Sequence, residues 1–200
     1  MSHNLEENVE KWLKFLDPEN LKANLIAASL YISSFESLKS YLVEKVKSIY
    51  VRGFDGETEI ISPNYRTNVL TRDKSVVRAS LLWLEENGII SPDEVELYNA
   101  LRKYRNDLAH NLSDLLFEGL PQELPGKFSE LIDLRIKIEL WWVRNIDIPT
   151  ELDLEDRDIK DDEILTSSQI FYRLVFDILS DDPDTANYYR SEFIKKFKKK

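Results

Sequence analysis

The chain is 200 residues long, 42% hydrophobic and 11% aromatic, which suits one ordinary domain with a modest extension, or two small ones, around a real core. A formal charge of −10 and a pI near 4.8 exclude the global positive field of a nucleic-acid-coating protein, though not an enzyme with positive charge gathered at one phosphate. The absence of cysteine and the presence of only two histidines leave no disulfide, no thiolate site and little means of building a His-rich metal centre.

Five glycines and seven prolines among abundant Leu, Glu, Lys and Ala favour an all-α architecture. The opening MSHNLEENVEKW is acidic and polar, unlike a signal or transit peptide. No uncharged run approaches the ~20 residues a spanning helix needs. The expectation is a soluble cytoplasmic protein without a membrane partner. His3 falls in a start expected to be unstructured and is given no role.

Residues 6–16 form a short amphipathic segment. Asp17-Pro18 reads as a cap followed by proline in the first turn of a new helix. From Leu21 through Leu25, Ala28, Ile32, Phe35, Leu38, Leu42 and Val46 to Ile49 the apolar positions step by three or four. That spacing predicts one long helix of roughly 45 Å with a single apolar stripe. Residues 53–72 read as a loop, with 59–62 in an extended conformation. Asp73 caps a helix that stops at Asn87-Gly88. Ser91-Pro92-Asp93-Glu94 restarts the chain with cap, proline and acidic first turn together. The helix that follows carries Leu97, Leu101, Tyr104 and Leu108. After a loop at 120–126, a helix over 128–145 becomes apolar nearly all round at 138–143, so Trp141 and Trp142 read as core or dimer anchors rather than a base-stacking platform. Residues 151–163 hold eight acidic residues against Arg157 and Lys160, the pattern of a solvated linker. Helices over 164–179 and 184–197 precede a lysine-rich end. The expected organisation is a helical domain over 1–146, an acidic linker over 147–163 and a helical extension over 164–200, with four to five main helices in the bundle.

The segment LRKYRNDLAHNL over 101–112 carries the chemistry. Arg105, four intervening residues and His110, with the polar Asn106 directly after the arginine, resemble the mark of the HEPN superfamily. The helix order over 17–146 resembles that family as well. The resemblance implies a HEPN-like bundle and a metal-independent endoribonuclease of the toxin–antitoxin or phage-defence kind. It implies RNA as substrate, no cofactor, a homodimer with two motifs facing one cleft, and an antitoxin or regulatory protein as a further partner. Cleavage would leave 2′,3′-cyclic phosphate and 5′-hydroxyl ends. The toxin branch paired with nucleotidyltransferase antitoxins carries a tyrosine two residues after the histidine; Leu112 stands there in this chain, so that modification has no acceptor at this position.

The residues suit the chemistry on their own terms. RNA supplies its own nucleophile in the 2′-hydroxyl, an imidazole moves protons near neutral pH, and a guanidinium holds a phosphate and its developing charge. Asn106 either orients the imidazole or binds a non-bridging oxygen. On an ideal helix Leu97, Leu101, Tyr104 and Leu108 share a narrow arc. Arg102, Asn106 and His110 lie roughly opposite, and Arg105 and His110 stand about 140° apart. His110 is therefore expected outside its own core, and its convergence with Arg105 calls for a bent side chain, a distorted helix end or a second chain. Arg102 and Lys103 are the candidates for lining an RNA path, against the plainer reading of solvated helix charges. Glu36 reads as simply exposed in preference to positioning a site residue. The alternative to the nuclease is a catalytically inactive HEPN module that binds a protein or nucleotide as a scaffold; a helical structural protein without a site is the third reading.

Overall fold

The computed structural model describes residues 2–150, 159–160, 163–180 and 182–197, with side chains from residue 7 onward. The acidic linker expected over 147–163 and the last three lysines lie largely or wholly outside the described residues. The architecture is all-α apart from one two-stranded hairpin. The chain divides into two compact units, residues 1–131 and 132–200, and the division falls inside a helix.

The N-terminal unit opens with α1 (Ser2–Leu16), so the segment expected over 6–16 is helical and the start expected to be unstructured is helical as well. Its Trp12 and Phe15 rings meet Phe117 at 4.9 and 5.8 Å. Then α2 (Pro18–Ser48) runs unbroken for 31 residues. Asp17 starts it by accepting the Glu19 N–H at 3.2 Å, with Pro18 in the first turn where its missing N–H costs nothing. Ala28, Phe35, Leu38, Leu42 and Val46 of the predicted stripe are buried to within 1%, as is Tyr31 beside them, so the middle of the stripe is the spine of this unit, whereas Leu25 and Ile49 towards its ends are exposed.

Residues 59–61 are extended as expected, and the loop expected before them is instead the first strand and turn of a hairpin. Together residues 51–61 form an antiparallel hairpin, β1 (Val51–Asp55) with β2 (Thr58–Ile61), in which Asp55 faces Thr58. Closing it over two residues requires a left-handed backbone, which Gly56 supplies at φ +67°. The Lys47 ammonium donates to Glu59 at 2.6 Å and ties the hairpin to α2. Residues 63–70, also expected as loop, are helical, with a π-wound turn at Arg66–Leu70 that buries Val69. Pro63 sits in a first turn capped by Ser62 and therefore starts helix instead of breaking it.

Next come α3 (Val76–Glu86), capped by Ser75, and α4 (Pro92–His110), which begins with the full capping box: Ser91 accepts the Glu94 N–H at 3.3 Å while the Glu94 carboxylate accepts the Ser91 N–H at 2.7 Å. The core of the unit is α2 against α3 and α4. Phe35 meets Tyr98, and Tyr31 meets Tyr104, each with ring centroids 5.3 Å apart. The Tyr31 hydroxyl donates to the Leu101 carbonyl at 3.3 Å. A short α5 (Leu112–Glu118) ends at Gly119.

The helix α6 (Leu124–Trp142) starts four residues before its predicted beginning, because Pro125 and Gly126 occupy its first turn. In the C-terminal unit Trp142 is buried and Trp141 half-buried. The helices α7 (Ser167–Ile178) and α8 (Pro183–Phe197) match the predicted pair closely. They join through Tyr189, whose hydroxyl donates to Asp177 at 2.7 Å. Glu139, 4% exposed, accepts from Arg135 Nε at 2.6 Å, from the Ser168 hydroxyl at 2.8 Å and from the Ser168 N–H at 3.2 Å. Burial alone would raise the Glu139 pKa, but these hydrogen bonds outweigh it and hold the carboxyl below the ordinary glutamate value. No helix among the described residues is long and apolar enough to cross a membrane.

Candidate functional site

Arg105 is placed by α4 and governed by α2. Its guanidinium forms an ion pair with Glu36 through Nη2 and donates through Nη1 to the side-chain oxygen of Asn106 at 2.9 Å. The second oxygen of Glu36 accepts from Lys39 Nζ at 2.7 Å. Glu36 was read from the sequence as simply exposed; it is instead the carboxylate that holds Arg105. The two residues are 69 positions apart, and only the packing of α2 on α4 makes them neighbours.

These groups border a cleft of about 210 Å³ between α2, α4 and the start of α3, lined by Phe35, Glu36, Lys39, Tyr98, Arg102 and Arg105, with Asn106, Ser75 and Val77 completing the wall. Lys39, Arg102 and Arg105 face a single acid, Glu36, so the cleft is locally positive on a chain of net charge −10. The first turn of α3 adds the partial positive charge of a helix start.

Of the sequence-derived candidates, Arg102, Arg105 and Asn106 share this cleft. His110 and Lys103 do not line it. Both are exposed. His110 is the last residue of α4, about 7.5 Å along the axis from Arg105 and rotated by about 140°. It stands outside its own core, as the helical geometry required. Arg105 does not bend towards it: Glu36 and Asn106 hold the guanidinium.

Two buried donors in this region have no hydrogen-bond partner among the described residues: the Tyr98 hydroxyl and Arg105 Nε. Tyr98 is 1% exposed. Burial raises its pKa strongly, with Glu36 adding to the rise and Arg102 and Arg105 opposing it. The neighbouring Tyr104 hydroxyl, buried and without a partner as well, is pushed up to about 12 by burial and then by Glu123.

Tyr98, Lys39 and Ser75 were not singled out from the sequence. A signal existed for Tyr98: residues 98, 102 and 105 lie within about 60° of one another on a helix, beside the apolar arc. Lys39 and Ser75 depend on how the helices pack, which no local pattern reports. Among the described residues no three of His, Asp and Glu gather closely enough to hold a metal ion. Compared with known proteins, the chain matches no family model, no curated protein and no solved structure.

Proposed function

We propose that the chain is an endoribonuclease of the HEPN kind, acting in the cytoplasm as a toxin or anti-phage effector and assembled as a homodimer. The observation that carries this reading is the solvent-exposed His110 on the same helix as a locally positive cleft that gathers Arg102, Arg105 and Asn106. In the proposed step the His110 imidazole removes the 2′-hydroxyl proton, the O2′–P bond forms and the P–O5′ bond breaks. A proton passes to the departing 5′-oxygen, leaving a 2′,3′-cyclic phosphate and a 5′-hydroxyl. Arg105 offsets the charge that builds on the non-bridging oxygens. The nucleophile belongs to the RNA, so the step needs no metal-bound water. The separation between Arg105 and His110 within one chain is met by a twofold partner that brings its motif to the same groove.

The test is cleavage of total RNA by the purified chain beside His110→Ala. Cleavage should persist in EDTA and fall by roughly 10²–10⁴-fold in the variant, with the circular-dichroism spectrum and melting curve unchanged. Equal cleavage by the two proteins ends the nuclease reading.

One observation favours a second reading: His110 does not line the cleft that holds Arg105. A non-catalytic module of the same kind, binding a protein or nucleotide as a scaffold, needs the cleft without the imidazole. Its signature is a cellular phenotype that survives His110→Ala.

A further inference from the structure

Among the described residues, half of the large apolar side chains left open to water fall between residues 165 and 197. The second half of α8 is the extreme case. Tyr189 reaches Asp177 on α7, but every residue from 190 to 197 is exposed. Phe193, Ile194 and Phe197 are 64%, 40% and 63% exposed, and at about 100° per residue they share one side of the helix. Two helical turns without packing are marginal in water, and phenylalanines on them add an unfavourable surface. Charge gathers at the same place: residues 190–200 carry six cationic side chains against one acidic, on a chain of net charge −10. Lys195 lies on the side away from the phenylalanines, while Lys196 Nζ stands 5.5 Å over the Phe197 ring centroid, an ammonium at the rim of an apolar face. The other open stripe, Val9, Trp12, Leu13 and Leu16 on α1, has no such surplus, since Glu7 and Glu10 balance Lys11 and Lys14.

We propose that the second half of α8 docks on the anionic headgroup surface of a lipid bilayer. Phe193, Ile194 and Phe197 enter the acyl boundary, and Lys195, Lys196 and the three lysines after Phe197 meet the lipid phosphates. Such a contact needs no spanning helix, and none is present among the described residues. The lack of one, on which the expectation of no membrane partner turns, does not bear on a surface contact. Lysines beside aromatic rings also suit single-stranded RNA. Here Phe193 and Phe197 pack on each other with centroids 4.6 Å apart, which leaves no slot for a base between them, and Ile194 offers no ring at all. The docking face is independent of His110 and of the nuclease reading.

Co-sedimentation of the full chain with vesicles of phosphatidylcholine, alone or mixed with phosphatidylserine, tests the proposal. The chain should pellet with the mixed vesicles, stay in solution with the neutral ones and be released by added salt. Phe193→Ala together with Phe197→Ala should weaken binding by roughly tenfold or more, and Lys195→Gln and Lys196→Gln by roughly fivefold each. All four side chains are exposed, so melting temperatures should hold and a loss of binding reports the lipid contact. The native chain has no cysteine, so an environment-sensitive dye coupled to the thiol of the Phe193→Cys or the Ser191→Cys variant reports one position. Those positions lie about 160° apart round the helix. With mixed vesicles the dye should shift to the blue at 193 and stay water-like at 191. The proposal is overturned if the chain ignores the mixed vesicles, pellets equally with neutral ones, keeps its affinity without the two phenylalanines, or shifts the dye equally at both positions. Capture of an RNA oligonucleotide through the same lysines, without vesicle binding, would overturn it in favour of a nucleic-acid contact.

Discussion

Each of the two compact units contains an arginine–glutamate pair, and the two pairs are built to opposite ends. In the C-terminal unit Arg135 and Glu139 lie one turn apart on α6 with side chains 13% and 6% exposed. The Glu139 oxygens also take both the hydroxyl and the N–H of Ser168, at the start of α7 where a helix has N–H groups to satisfy. In the N-terminal unit Glu36 and Arg105 come from different helices, are 36% and 27% exposed, and leave Arg105 Nε unsatisfied. A carboxylate fully used by its neighbours is an anchor. The carboxylate of the second pair is shared with Lys39 and leaves one guanidinium N–H unsatisfied, so it is a surface contact more than an anchor.

The sharpest way to break this contrast is to remove the anchor. Glu139→Ala would take one carboxylate from the largely buried Arg135 and from the hydroxyl and N–H of Ser168, and losing one partner of a buried pair typically costs about 3–5 kcal/mol. Denaturant unfolding monitored by tryptophan fluorescence should show a loss of that order. A change below about 1 kcal/mol would place Glu139 in the same class as Glu36.

Acid should act on the same anchor. The folded Glu139 carboxyl titrates below its unfolded value of about 4.5, so its contribution to stability is present above that pH and is lost as the pH falls through the lowered folded value. Melting temperature followed from pH 6 to pH 3 should therefore drop more steeply in the native chain than in Glu139→Gln. Parallel slopes would mean that other carboxylates carry the acid sensitivity.

The contrast also explains which parts of the molecule are legible in one sequence. Periodicity and caps are local, and they report much of the local structure: the α2 stripe from Ala28 to Val46, Asp17-Pro18 and Ser91–Glu94 lie where the pattern puts them, while the cap expected at Asp73 falls at Ser75. The misreadings share a cause. Proline and glycine were taken as punctuation at 63 and at 125–126, whereas each stands in a first helical turn, the one place where proline fits a helix without losing a hydrogen bond. At 53–58 the chain turns within two residues and pairs with itself, so one strand was missed. The outward face of His110 was readable, because it follows from helical geometry. The partner of Arg105 was not, since residue 36 reaches residue 105 only through tertiary packing. Tyr98 was not singled out, since the unpaired hydroxyl that sets it apart exists only in three dimensions.

The smallest expected effect closes the comparison from the other side. Glu36→Ala removes the carboxylate from Arg105 and Lys39, yet all three side chains keep substantial access to water, where ion pairs are worth about 0–1 kcal/mol. The released guanidinium can be solvated in place, so unfolding free energy should change by less than about 1 kcal/mol, several-fold less than for Glu139→Ala in the same assay. A loss of about 3 kcal/mol or more would show that Glu36 is a second structural anchor, of the same kind as Glu139.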